Sequence, residues 1–218
     1  MKPSIAPFAH CLIASLLMVS ITGTASAQTQ APKQSRSTVG RTISFVGGAA
    51  AGLVMHEMGH VVFGAAFGAS PRVAPLHYAG IPFFEITHNT VSRRQEFVIS
   101  SAGFWVQYAN SEWILTKRPN IRHESAPFEK GILAFDVATS TLYSAAAFAR
   151  MGPDARDTRG MAVSLGTHGW PEPVVGVFVL APAVFDGVRY LKPDAKWAKW
   201  ASRVSKVTGV ALTMMAGK

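Results

Sequence analysis

The sequence has little charge and almost no cysteine. Charged residues fill 15% of its 218 positions, against roughly 25% in an ordinary soluble domain. Acids are the scarcer sign, with 12 Asp and Glu against 21 Lys and Arg. The single cysteine, Cys11, excludes an intrachain disulfide framework and a multi-thiolate metal site. It lies in a stretch with the marks of an export signal. Lys2 and His10 precede the apolar run CLIASLLMVSIT, and Ala25-Ser26-Ala27 forms an A-x-A cleavage site before Gln28. The run is too short to span a bilayer comfortably, so residues 1–27 are expected to be a signal peptide. Cleavage there leaves no thiol, and so no cysteine nucleophile.

What the chain has in quantity is apolar surface. Hydrophobic residues make up 49% of it, and its mean hydropathy of +0.21 leans towards a membrane protein. The net charge of +9 and pI near 10.1 raise the question of nucleic acid. The basic residues, however, are scattered between apolar segments and in the tail, with no aromatic-interleaved patch or nucleic-acid module. Nucleic acid is therefore not an expected partner. Basic flanks beside apolar runs fit contacts with anionic lipid headgroups.

Along the chain, residues 28–42 are polar and read as a flexible N-terminus. Four apolar segments follow, at 43–69, about 97–115, about 132–148 and about 173–185. The first is long enough to cross a bilayer of roughly 30 Å with tilt. Its glycines suit close helix packing in lipid, and Gly48-x-x-x-Gly52 is a small-xxx-small pair. Gln107, Asn110, Glu112 and Asp136 interrupt the later segments, and belong in a bundle interior rather than in lipid. The stretch SPRVAPLHYAGIPFFEITHNTVSRRQ, rich in prolines and β-formers, predicts a short hairpin or re-entrant piece. After Lys192, KPDAKWAKWASRVSK alternates basic residues with tryptophan and reads as an interfacial helix over 192–218. The expected fold is mainly α. It is a polytopic membrane helical bundle over residues 43–191, with about four apolar segments and a small β element after the first.

The first segment contains His56-Glu57-Met58-Gly59-His60, an H-E-x-x-H motif. On a helix, positions i and i+4 share a face, so both imidazoles can reach one ion. Zinc accepts such nitrogens at about 2.0–2.1 Å in a tetrahedral shell. Glu57 lies about 100° around the helix, placed to act on a water rather than to ligate. An ion of this kind acidifies its water and the carboxylate takes the proton, which is the chemistry of amide hydrolysis. The surrounding segment is apolar, so all three polar groups must find internal partners. The metzincin extension is absent, because Phe63 and Ala66 stand where its glycine and third histidine belong. A third ligand must come from elsewhere, with Glu85, Glu96 and Asp186 as the candidates.

HEMGH with the apolar turn to Gly68 and RVAPLHYAGIPFFE resembles the first motif region of the site-2 proteases, the intramembrane zinc metalloproteases of peptidase family M50. FVISSAGFWVQ is similar to that family's second helix, and APAVFDG to its C-terminal Leu-Asp-Gly motif. The resemblance runs in order over residues 45–191. It implies one zinc ion on His56, His60 and Asp186, with Glu57 as base and Gln107 and Pro182 positioning the substrate. It further implies membrane protein or peptide substrates, and residence in a membrane, the inner membrane if the source is bacterial. Phe104 replaces the family's proline, Gln107 its asparagine and Phe178 an upstream asparagine, and Pro182 is one position out of register. Two other readings follow from the residues: an exported gluzincin-like zinc peptidase using Glu85 or Glu96, and a non-catalytic metal-binding membrane protein.

Overall fold

The computed structural model of the protein describes residues 37–78 and 81–217. The expected signal peptide lies outside the described residues. Among those residues the fold comprises six α-helices and one strand pair: α1 (Thr38–Ala66), β1 (Arg72–Tyr78), β2 (Ile81–Thr87), α2 (Arg93–Lys117), α3 (Pro127–Ala149), α4 (Asp157–Ser164), α5 (Glu172–Leu191) and α6 (Lys196–Ala211). The class is the mainly helical one expected, and the proline-rich stretch forms the two-stranded antiparallel sheet, with Arg72 opposite Thr87.

Helix α1 starts at Thr38, ahead of the expected Ile43, because Ser37 caps it by accepting from the Gly40 amide at 3.2 Å. Ser92 caps α2 through a reciprocal box with Gln95. On α1 the buried positions are Gly48, Gly52, His56, Gly59, His60, Phe63 and Gly64. They recur at three and four residues and so form one stripe, with the two histidines among glycines. Gly48 and Gly52 meet Phe128 and Phe135 on α3, so the two helices run parallel. Gly59 meets Ala102 and His56 meets Gly103 on α2, which runs the opposite way. Gly176 of α5 meets Ser144 and Phe148 of α3, while Asp186 shares a cavity with Asp136, so α5 is antiparallel to α3.

Three helices, α1, α3 and α5, are long and apolar enough to cross a membrane. All three expose large apolar side chains, among them Ile43, Val54, Leu142 and Val177, as lipid contact requires. The sequence pointed to about four such segments, and α2 is the exception. It is the central helix, with Ser100, Ser101, Gln107 and Ser111 buried along with Phe97 and Phe104. Its polar residues face neighbouring helices, which is why its composition falls short of a lipid-facing span. Two apolar clusters flank it. One joins Phe97, Phe104 and Tyr108 to Met161, Val175, Val179 and Leu212, and the other joins Ile114 and Leu115 to Ile121, Ile132 and Leu133.

The tail forms α6, which folds back along α5. Its buried residues Ala198, Ser202, Lys206 and Gly209 lie on one face, and Trp197, Trp200, Val204 and Val207 are exposed.

The glycine contacts on α1 and α3 are close enough to test. A Cβ on Gly48 would stand 1.9 Å from the Phe128 carbonyl oxygen, and one on Gly131 would stand 2.0 Å from that of Phe45. Both clashes are with backbone, so the helices must separate. Gly48→Ala and Gly131→Ala are each expected to destabilise the protein by about 1–3 kcal/mol. Gly47 has nothing within 4 Å of its would-be Cβ, so Gly47→Ala should be neutral or stabilising by up to about 1 kcal/mol. Unfolding in detergent distinguishes them, and equal stability of the Gly48 and Gly47 variants would refute the close α1–α3 crossing.

Candidate metal centre

His56 and His60 project from the buried stripe of α1, and Asp157 comes to meet them from the first turn of α4. His56 Nε2 lies 3.1 Å from Asp157 Oδ2 and 3.3 Å from His60 Nε2, and His60 Nε2 lies 3.4 Å from the same carboxylate oxygen. Ligand atoms held at 2.0–2.1 Å by a tetrahedral ion stand about 3.3 Å from one another. The three atoms therefore already occupy one face of such a tetrahedron. This is the group of residues, among those described, that can hold a metal ion.

The surroundings hold these atoms in place. His60 Nδ1 donates to the Ile99 carbonyl oxygen at 2.7 Å, which turns Nε2 to the other two ligand atoms, where its proton is shared with Asp157 and would be displaced by an ion. His56 is clamped rather than bonded on its far side. Its Nδ1 is buried without a hydrogen-bond partner, while Phe104 meets its ring edge-on at a centroid distance of 5.5 Å. A Cβ on Gly103 would stand 2.4 Å from His56 Cε1, so the α2 backbone lies directly against the imidazole. Phe104, where the resembling family has proline, thus serves as a wall of the site.

Asp157 is held by its neighbours in sequence. Arg156 Nε donates to Glu172 Oε1 at 2.6 Å, and Thr158 Oγ1 donates to the same oxygen at 2.8 Å. Glu172, at the start of α5, therefore grips the chain on both sides of Asp157. Gly160, one turn on, packs against Ser100, where a Cβ would meet Oγ at 2.2 Å. Tyr143 of α3 lies near the Asp157 carboxylate and beside the His56 ring, centroids 6.2 Å apart. Burial pushes the Asp157 carboxyl up, but the charge of His60 and the hydrogen bonds of both imidazoles outweigh it and hold the group well below the usual carboxylate range. It is therefore ionised, as a metal ligand must be.

Of the residues singled out from sequence, the structure brings together His56, His60 and Glu57, the last half-buried beside the pair. Asp186, the third ligand implied by the resemblance, is not in this group; Asp157 is the acid that stands beside the two histidines. The reason is that Asp186 is already saturated. Its Oδ1 accepts from Ser202 Oγ at 2.7 Å and from Lys206 Nζ at 3.0 Å, and Arg189 approaches to 3.5 Å. Gln107 and Pro182 are also elsewhere, lining a second cavity with Asp186. Glu85 stays on β2, and Glu96 accepts from Ser100 Oγ at 3.0 Å and faces His88 at 3.5 Å. Neither belongs to the metal group. Sequence reasoning missed Asp157 because MGPDARDTRG carries no periodic or motif signal. That stretch offers two aspartates, Asp154 and Asp157, among two arginines, with nothing local to choose between them.

No family model matches the chain, and no curated protein or solved structure matches it. The chemistry of the site rests on its own geometry.

Metal analysis of the detergent-purified chain separates Asp157 from Asp186. Asp157→Ala is expected to lose the metal and Asp186→Ala to keep it; the reverse result would restore Asp186 as the ligand. Imidazole ligands must be neutral to bind, so the wild-type metal content should fall as pH drops below about 6. Metal retained undiminished at about pH 4, well under the ordinary histidine range, would rule out a two-histidine site.

Proposed function

We propose that this chain is a membrane-embedded zinc metalloprotease that hydrolyses peptide bonds in or near transmembrane segments of other proteins. The observation that carries this reading is the convergence of His56 Nε2, His60 Nε2 and Asp157 Oδ2 within 3.4 Å of one another, on a helix apolar enough to cross a membrane. Two nitrogens and one carboxylate oxygen form a donor set suited to zinc, and three protein ligands leave a fourth position open, as catalytic sites do and structural sites do not. A zinc ion held there would supply Lewis acidity towards a peptide carbonyl and an acidified water.

The chain's own residues supply the rest. Glu57 sits one position along the helix from His56, half-buried and close to both histidines and to Asp157. It takes the proton from the attacking water and passes it to the leaving amine. A site with a purely structural ion has no need of that carboxylate. Phe104, Phe135 and Tyr143 ring His56 and keep bulk water away, which strengthens every charge interaction inside. The arrangement keeps the two histidines and the base of the site-2 protease pattern and draws its third ligand from α4.

Glu57→Gln tests the mechanism, since it keeps the shape and removes the base. Metal content should stay near one per chain while cleavage of a transmembrane peptide substrate in detergent or liposomes falls by about 10²–10⁴-fold. Wild-type turnover by that variant would remove Glu57 from the mechanism, and absence of cleavage by wild-type chain with bound zinc would favour a non-catalytic metal protein.

A further inference from the structure

A second buried centre lies between α2, α3 and α5. Three i, i+4 pairs converge on it: Gln107 and Ser111, Asp136 and Ser140, Pro182 and Asp186. The cavity they enclose is about 10 Å³, room for a single small guest. Asp136 is 4% exposed, and both of its carboxylate oxygens lack a hydrogen-bond partner. On a helix apolar enough to span a membrane, an unpaired carboxylate of this kind is costly unless something completes it.

The cations nearby do not complete it. Lys206 and Arg189 are committed to Asp186 and Glu112, with Lys206 Nζ 2.9 Å from Asp186 Oδ2 and 3.4 Å from Glu112 Oε2. The hydroxyl protons are also used. Ser140 Oγ donates to Gln107 Oε1 and Ser111 Oγ to the Tyr108 carbonyl, both at 3.3 Å. Gln107 Nε2 is a buried donor without a partner. The oxygens the centre can offer are those of the Asp136 carboxylate and the lone pairs of Ser111 and Ser140, with the Gln107 amide nitrogen beside them.

We propose that this cavity binds one small monovalent cation, Na⁺, with Asp136 as its anchoring ligand. In its ionised form the Asp136 carboxylate matches one positive charge, and a bound cation would take the place of the proton that burial otherwise favours. A magnesium ion would bring several waters for which there is no room, and calcium takes six to eight oxygens, roughly. The site is separate from His56, His60 and Asp157, and stands whether or not the chain is a protease. It nevertheless adjoins them, because Phe135, next to Asp136, packs on His56 with centroids 6.3 Å apart and against Gly52. Loading the cavity ties together the helices that wall the metal centre.

The test uses the full chain in detergent, exchanged into choline chloride and titrated with NaCl or KCl at constant ionic strength. At about ten times the dissociation constant, NaCl should raise the melting temperature by roughly 3–5 °C, with KCl weaker. Radioactive Na⁺ should bind at one per chain and be displaced by unlabelled NaCl. Asp136→Asn should abolish both responses while keeping its metal content at the histidine site, which shows that it is folded. Ser140→Ala should weaken Na⁺ binding without abolishing it. Saturable Na⁺ binding that survives in Asp136→Asn would overturn the proposal. So would a melting temperature that follows pH but not Na⁺, which would make Asp136 a proton carrier, or one indifferent to both, which would leave a lone water in the cavity.

Discussion

Two imidazoles and a carboxylate can share an apolar interior only if their lone pairs face a positive centre or a shared proton. The spacing of 3.1–3.4 Å among His56, His60 and Asp157 is that constraint in concrete form, and the rest of the bundle is arranged to meet it. Helix α1 carries glycine where α2 and α3 must come close. Gly59 admits the Ala102 backbone, and Gly103 admits the His56 ring. Side chains at those positions would push α2 away, and the Ile99 carbonyl would no longer reach His60 Nδ1 at 2.7 Å. Gly160 does the same for α4, which closes on Ser100 of α2 and brings Asp157 to the histidines. The small-residue stripe that allows helices to pack in lipid is here the same feature that encloses the polar cluster.

The parts legible in the sequence were those encoded by local periodicity. The i, i+4 spacing of His56 and His60 was enough to place both on one face of a helix. The apolar runs marked α1, α2, α3 and α5, and the prolines and β-formers between Arg72 and Thr87 marked the strand pair. What could not be read was long-range choice among similar residues. Asp157 and Asp186 are both acids on helices, and nothing local says which one reaches the histidines. The answer lies in their partners. Glu172 holds Arg156 and Thr158 around Asp157, whereas Lys206 and Ser202 consume Asp186. Lys206 itself looked like part of a basic interfacial stripe, but it is buried at 6% exposure.

The two aspartates then divide their duties within one bundle. Asp186 is met by Arg189 of α5 and by Ser202 and Lys206 of α6, a satisfied network that pins the tail helix to the bundle. Glu112 of α2 extends it, accepting from Arg203 Nε at 2.8 Å and contacting Lys206 at 3.4 Å. Removing any one partner would leave a buried charge uncompensated, so the network holds structure and has nothing spare for chemistry. Asp157 is different. Its Oδ2 contacts two imidazoles that are themselves candidate ligands, so it retains an oxygen that can be given to an ion.

That contrast also separates ligand from scaffold in a way that composition cannot. A carboxylate whose neighbours are Lys, Arg and Ser has its charge neutralised by fixed protein groups, and a cation arriving there would have to displace them. A carboxylate whose neighbours are imidazoles has partners able to turn their lone pairs to a common centre, because neutral imidazole is acceptor as well as donor. The His56–His60–Asp157 cluster is of the second kind, and its His60 tautomer is already set by Ile99 for ligation. Asp136 represents a third condition, a carboxylate with neither cationic nor imidazole neighbours bonded to it. The three acids, all within one helical bundle, differ in what faces them: imidazoles at Asp157, fixed cations at Asp186 and no bonded partner at Asp136.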